Sequence, residues 1–234
     1  MGALAEPQIG HVVQRQFNGA TGARQAATSV DNLVYTQDVF AGEKVITPAG
    51  GSTVVRFRDQ TQLQVGANST VVLDRFVYDP SSQSDSGSIN LAKGLFRYIG
   101  GQASDAAGVK LSTPTTTLTI RGTKFMVWVK DDGTTTVGVL EGAVDVKPCG
   151  NGDIAHANAG QAYQVTSSCT ATPVPMSSVP TDPATAEDAS VDNGAGGANG
   201  GDGSSNPGGG GGSPSSGGGG STGRGRGHSD SGGG

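Results

Sequence analysis

Phe125-Met126-Val127-Trp128-Val129-Lys130 and Thr135-Thr136-Val137-Gly138-Val139, joined through Asp131-Asp132-Gly133, decide the fold of this chain. Phe125, Val127 and Val129 alternate with Met126, Trp128 and Lys130, and Thr135, Val137 and Val139 repeat at the same period. In an extended chain successive side chains point to opposite faces, so a period of two gives one buried face and one wet face. Valine and threonine are stiff at Cβ and suit a pleated surface better than a helix. An Asp-Gly step between two such runs is a strong hairpin signal, because the glycine accepts the backbone angles of a tight turn. The segment is therefore predicted to be a β-hairpin.

The same pattern extends outward in both directions. Val54, Arg56 and Arg58 alternate with Val55 and Phe57; Leu63 and Val65 alternate with Gln62 and Gln64; Val144 and Val146 continue the theme. Pro48-Ala49-Gly50-Gly51, Gly66-Ala67-Asn68, Asp79-Pro80-Ser81 and Asn151-Gly152-Asp153 supply the turns between runs. Short strands separated by such turns predict an all-β, antiparallel domain over residues 6–170: a β-sandwich, a roll or a solenoid-like fold. Gly22 to Ser29 is the one stretch read as a short helical turn. Glycines precede the runs at Gly94, Gly142 and Gly160, where a turn or bulge would admit the next strand.

After Cys169 the composition changes. Residues 171–193 are rich in Pro, Ser, Thr and Ala and read as a linker. Roughly half of the 41 glycines fall within residues 194–234, a stretch almost without large apolar side chains. Such a segment cannot offset the entropy of ordering its backbone, so it is predicted to be a disordered Gly/Ser-rich tail. The formal net charge of -5 gives no general attraction for nucleic acid or anionic lipid, and neither is expected as a partner. No apolar run approaches the ~20 residues of a membrane-spanning helix.

Ala3-Leu4-Ala5 before Glu6 has the small-x-small form of a signal-peptidase site, although no basic or apolar leader precedes it. It points to a mature secreted chain with an added Met, or to a truncated start; the alternative is that three small apolar residues fall there by chance. Met1-Gly2 does not make a myristoylation signal, since position 6 is Glu6. The two cysteines, Cys149 and Cys169, are too few for a structural zinc site. In a secreted domain they would pair, closing a loop that stabilises by roughly 3 kcal/mol; in a reducing cytosol they would stay free thiols.

Catalytic signals are missing. His11, His156 and His228 are far apart in sequence and have no carboxylate or cysteine at ligand spacing. No serine-nucleophile elbow, phosphate loop or zinc-protease motif occurs. Gly196-Gly197-Ala198-Asn199 with Asp202 is similar to a calcium-binding nonapeptide, but the unit does not recur and Asn199 stands where a glycine is needed. Arg224 and Arg226 are too few for an RNA-binding Arg-Gly tract in an acidic chain. Asp131 and Asp132 sit in a turn, where solvation explains them. The chain is read as a non-enzyme that needs no cofactor and no metal.

One resemblance organises these pieces. Glu43-Lys44-Val45-Ile46-Thr47, then Val55-Arg56-Phe57-Arg58-Asp59-Gln60-Thr61, Leu63, Val65, Gly66, Asn68-Ser69 and Val71-Val72-Leu73 come first. Leu91-Ala92-Lys93-Gly94-Leu95-Phe96-Arg97, Thr113-Pro114, Arg121-Gly122-Thr123-Lys124-Phe125-Met126-Val127, Val139-Leu140-Glu141-Gly142-Ala143-Val144 and Ala159-Gly160-Gln161 follow. In that order they resemble the FecR domain of bacterial regulators and envelope proteins, over residues 36–165. Asp59, Thr61, Gly94, Thr113, Pro114, Arg121, Gly122, Thr123, Phe125, Gly142 and Gly160 carry the motif, and their expected roles are structural. Asp59 and Thr61 would bond local backbone in a turn. Gly122 would permit a turn or a close strand approach, with Thr123 starting the buried strand. Arg121 would bond a carboxylate or carbonyls within the fold, or face a partner.

The sequence shows neither the anti-sigma helical region nor the membrane span of the studied signalling members, so only their fold and extracytoplasmic setting are implied. The expected function is a periplasmic or secreted, non-catalytic binding or sensory module of the bacterial envelope, engaging another envelope protein or a polymer. The alternatives are a surface-display protein with its tail as spacer and, less favoured, a glycan-active enzyme.

Overall fold

The computed structural model describes residues 6–16, 19–24, 30–77, 86–102 and 109–181. In chain order the strands are β1 (Gln8–Gln16), β2 (Ala20–Ala23), β3 (Val30–Leu33), β4 (Asp38–Phe40), β5 (Glu43–Ile46), β6 (Ser52–Phe57), β7 (Gln62–Val65) and β8 (Thr70–Val77). Then come β9 (Ser86–Ile99), β10 (Val109–Ser112), β11 (Thr116–Val129), β12 (Thr135–Pro148), β13 (Ala155–Asn158), β14 (Ala162–Val165) and β15 (Ala171–Val174), followed by a 3-10 turn, Met176–Ser178. All fifteen strands join one sheet. Every pairing is antiparallel except that of β9 with β10.

The sheet folds back on itself into two layers. In the first, β4, β1, β6 and β7 lead to the C-terminal half of β9, the C-terminal half of β11, the N-terminal half of β12, and then β14 and β15. In the second, β3, β2, β5 and β8 lead to the N-terminal half of β9, then β10, the N-terminal half of β11, the C-terminal half of β12, and β13. The alternation read from sequence sets what each layer buries. Val55, Phe57, Leu63, Val65, Phe96, Tyr98, Phe125, Val127 and Val137 point inward from the first layer, and Val71, Leu73, Phe76, Ile89, Leu91, Leu118 and Ile120 from the second. They form one core. Phe57 stacks on Phe76 across the layers with ring centroids 4.4 Å apart, and Tyr98 lies against Phe125 at 5.1 Å.

β9, β11 and β12 each belong to both layers, so each must turn a corner, and each does so at a glycine with positive φ: Gly94 (112°), Gly122 (52°) and Gly142 (77°). Strands that switch layers do so through bends or bulges. The pairing registers slip at these places, between Thr70 and Val71 opposite Lys93 and Leu91, and between Arg121 and Phe125 along β11. Close approach adds to the backbone requirement. A Cβ at Gly94 would strike the Ser69 side chain, whose hydroxyl accepts the Leu95 N–H at 3.2 Å. A Cβ at Gly142 would strike the Gly122 carbonyl oxygen and come within 2.8 Å of Thr123 Cγ2.

The ends of the layers are sewn by threonines. Thr113 and Thr135 hydroxyls lie 2.7 Å apart, and the Thr115 hydroxyl donates to the Gly133 carbonyl at 2.9 Å. The Thr116 hydroxyl donates to the Lys147 carbonyl at 2.7 Å. The Thr113 and Thr115 bonds tie the β10–β11 turn to the tip of the β11–β12 hairpin, which turns at Asp131-Asp132-Gly133 as the Asp-Gly signal predicts, and the Thr116 bond ties the start of β11 to the end of β12. The Asp132 carboxylate accepts the Thr134 N–H at 2.8 Å, and this bond holds its pKa below the usual carboxylate value.

Two local expectations need correction. Gly22 and Ala23 of the expected helical turn lie in strand β2, paired with β3 and β5; residues 25–29 lie outside the described residues. The stretch expected as a linker begins as sheet: β15 pairs with β14, and the chain beyond it lays Met176 and Val179 on the outer face of the first layer. Gly138 makes room there, for a Cβ would meet Val179 Cγ2 at 2.8 Å. Val179 and Met176 pack with Leu95, Met126, Trp128 and Val174 in a small second cluster. The chain divides into two units, residues 1–194 and 195–234; the tail expected over 194–234, with His228, Arg224 and Arg226, lies outside the described residues.

The corner account separates two costs of replacing a glycine. Gly142→Ala combines a left-handed backbone with a collision and should lose about 3 kcal/mol of unfolding free energy. Gly160→Ala has a positive φ (83°) but open space around the new methyl, so it should lose only about 1 kcal/mol. Urea unfolding of both variants checks this; equal losses would contradict the corner role of Gly142.

Candidate functional site

The motif residues fall into structural clusters and do not converge on one cavity. Asp59 and Thr61 form the β6–β7 turn and are fully buried. The Thr61 N–H donates to Asp59 Oδ1 at 2.9 Å and the Thr61 hydroxyl to Oδ2 at 2.6 Å. The Thr61 hydroxyl in turn accepts the Gly101 N–H at 2.9 Å, and the Asp59 carbonyl accepts the Gln102 N–H at 2.9 Å. The turn thus anchors the chain leaving β9. Gly94, Gly122 and Gly142 are the corners; Thr113 and Pro114 form the β10–β11 turn; Phe125 is core; Gly160 turns the chain between β13 and β14. Thr123 is buried beside the corner, and its hydroxyl has no hydrogen-bond partner.

Arg121 stands on the outward side of its corner. Its Nη2 donates to Asp145 Oδ2 at 3.0 Å, while Asp145 Oδ1 lies 2.6 Å from His156 Nδ1. The Arg121 and His156 side chains are 65% and 73% exposed, against 18% for Asp145. Exposed pairs of this kind contribute at most about 1 kcal/mol each. Among the described residues no three His, Cys, Asp or Glu side chains are grouped to hold a metal ion. His11 lies on β1 opposite Arg56, well away from His156.

Cys149 and Cys169 form a disulfide with Cα atoms 4.8 Å apart. It ties the end of β12 to the turn between β14 and β15, at the same end as the threonine network. The Cys149 N–H also donates to the Thr115 carbonyl at 2.8 Å.

The uncovered part of the first layer's outer face holds a depression of about 200 Å³ lined by Val13, Gln14, Val54, Arg56, Gln62, Gln64 and Ile99. Its construction follows from register. Gln14 pairs with Val54, Val54 with Gln64, and Gln64 with Arg97, forming one row across β1, β6, β7 and β9. The next row runs Asp38, His11, Arg56, Gln62, Ile99, Lys124 and Glu141. The β1 register slips at Val13, which is the extra residue of a bulge at the rim. The Nε atoms of Arg56 and Arg97 are buried without a hydrogen-bond partner. The ion pairs formed among the described residues, Lys93–Asp131, Arg121–Asp145, Lys124–Glu141 and His156–Asp145, include neither arginine.

The sequence reading passed over this face. Arg56, Gln62 and Gln64 register only as the polar partners of an alternating strand, since the two turns of pairing that place them beside Arg97 are long-range. A usable signal was present all the same: two arginines and three glutamines recur at outward positions of neighbouring strands, where shorter, smaller polar residues would serve solvation equally well.

Residues 43–145 match the family described as FecR protein. No curated protein matches the chain. Two crystal structures of a protein described as an anti-sigma factor from Parabacteroides distasonis are similar at 14% and 13% identity, each with a TM-score of 0.45. In both cases the match covers 56% of this chain and 59% of the other.

The disulfide carries its own expectation. Cys149→Ser/Cys169→Ser should unfold with about 3 kcal/mol less free energy than the oxidised chain, because the loop it closes spans 20 residues. Mass measurement after alkylation without reductant should show no modified thiol. Two alkylated cysteines in chain isolated from its native compartment would contradict the pairing.

Proposed function

From the match of residues 43–145 to the FecR family we propose that the chain is a non-catalytic binding module of the bacterial cell envelope, engaging another envelope protein or a polymer. The observation that carries the reading is the depression on the first layer's outer face. Arg56, whose buried Nε has no hydrogen-bond partner, lines it with three glutamines, and the described chain leaves it uncovered, whereas the adjoining part of the same face is covered by Met176 and Val179. Buried donors without partners cost free energy, and a ligand can recover that cost.

Three further features support the proposal. The disulfide is of a kind that persists in oxidising compartments, which fits the periplasm or the exterior. No helix among the described residues is long and apolar enough to cross a membrane. The motif residues are engaged in holding corners and turns, so the family signature supplies a scaffold, and specificity falls to surface side chains that differ from one scaffold to another.

Capture from the cell's own envelope fraction tests the proposal. Immobilised full-length chain, chain lacking residues 182–234, and the Val54→Trp variant, which fills the depression, are compared. The tail-deleted chain should retain the captured partner and Val54→Trp should lose most of it. Loss of all partners with the tail, and none with Val54→Trp, would instead support a display protein whose β domain is only a stable head.

A further inference from the structure

Resting on the binding-module reading, we propose that the depression between β1, β6, β7 and β9 is a binding site for a carboxylate-bearing polysaccharide, with Arg56 in its lining and Arg97 beside it holding the carboxylates and Gln14, Gln62 and Gln64 bonding the sugar hydroxyls. The charge is the first ground. The chain as a whole carries a net charge of -5, yet among the described residues neither Arg56 nor Arg97 on this face has a carboxylate partner; Lys124, at the end of the adjoining row, is paired with Glu141. An acidic protein that leaves arginines unpaired on one face has a local field favouring anions there.

Arginine geometry is the second ground. A guanidinium is a planar fork of five donors that matches a carboxylate with two parallel bonds. The buried Nε atoms of Arg56 and Arg97 lack any partner, so turning either fork toward a ligand breaks no existing bond. The two arginines lie on strands separated by β7 and one two-residue step apart in register. Strand spacing and rise place their Cα atoms about 12 Å apart. That span suits successive charges along an extended polymer better than one small anion.

The third ground decides between a sugar and a peptide. Extended peptides are held by adding a strand to an open sheet edge, through backbone bonds, and acidic motifs also by arginine clusters. Here the site is on a sheet face, and β6 and β7 are both paired on both sides. Recognition must come from side chains alone. Three glutamine amides, each offering two donors and an acceptor, match hydroxyls that also donate and accept. Val13, Val54 and Ile99 supply an apolar floor for the faces of sugar rings.

The test is calorimetric titration of the full chain with polygalacturonate, with its methyl-esterified form, and with poly-glutamate, each at low and moderate salt. Polygalacturonate should bind, and esterification, which removes the charge and keeps the sugar, should weaken binding at least tenfold. Arg56→Gln/Arg97→Gln should weaken it to a similar extent, as should Gln64→Glu, which sets a like charge in the site; unchanged melting temperatures show that these variants are folded. Equal binding of the esterified polymer, or undiminished binding by the folded double variant, would overturn the proposal. Tighter binding of poly-glutamate would overturn it in favour of an acidic peptide. Binding of none of the three would also overturn it, while capture of an envelope partner by the same chain would leave the binding-module reading standing.

Discussion

Three strands, β9, β11 and β12, run through both layers of this domain, and the whole architecture depends on their turning without breaking the hydrogen-bond ladder. An L-residue with a side chain resists that turn twice over, by its backbone angles and by the volume of its Cβ. Gly94, Gly122 and Gly142 remove both obstacles, and the collisions awaiting a side chain at Gly94 and Gly142 show how closely the corners are packed. Because β11 and β12 pair along nearly their whole length, their corners must coincide. Gly142 packs against the Gly122 carbonyl, so that one bend seats in the other. The core follows from this: folding one sheet over itself brings Phe57 onto Phe76 and closes a single apolar interior.

Polar side chains then fix the ends. Asp59 and Thr61 hold the turn where β9 departs, the threonines from Thr113 to Thr135 hold the opposite hairpin tip, and the disulfide locks the strand that follows. The buried hydroxyls of Thr61, Thr115 and Thr135 and the buried Asp59 carboxylate are tolerable because each is bonded, and such bonded networks favour one arrangement over its near alternatives.

Much of the fold could be read from local pattern. The alternation of Phe125, Val127 and Val129 with Met126, Trp128 and Lys130, and the turn at Asp131-Asp132-Gly133, report strands and their joints because both are properties of neighbouring residues. Glycines ahead of strands were legible as bends. What lay beyond local reading is long-range: that Gly94, Gly122 and Gly142 share one function, that Ala171–Val174 adds an edge strand where proline-rich sequence reads as linker, and that Met176 and Val179 cover part of the outer face. The candidate site is the extreme case. Gln14, Val54, Gln64 and Arg97 form one row only after three strand pairings are in place, and in sequence each is an unremarkable outward residue.

The proposal therefore divides the labour between residues that hold the corners and turns of two layers and an outer face of the first layer that would meet a ligand. Amide hydrogen exchange of the full chain, with and without its captured envelope partner, tests this division most directly. The account predicts slowed exchange in β1, β6, β7 and the C-terminal half of β9, with no change around Arg121, Asp145 and His156 on the second layer. Protection centred on those three residues, with the first layer unaffected, would contradict it.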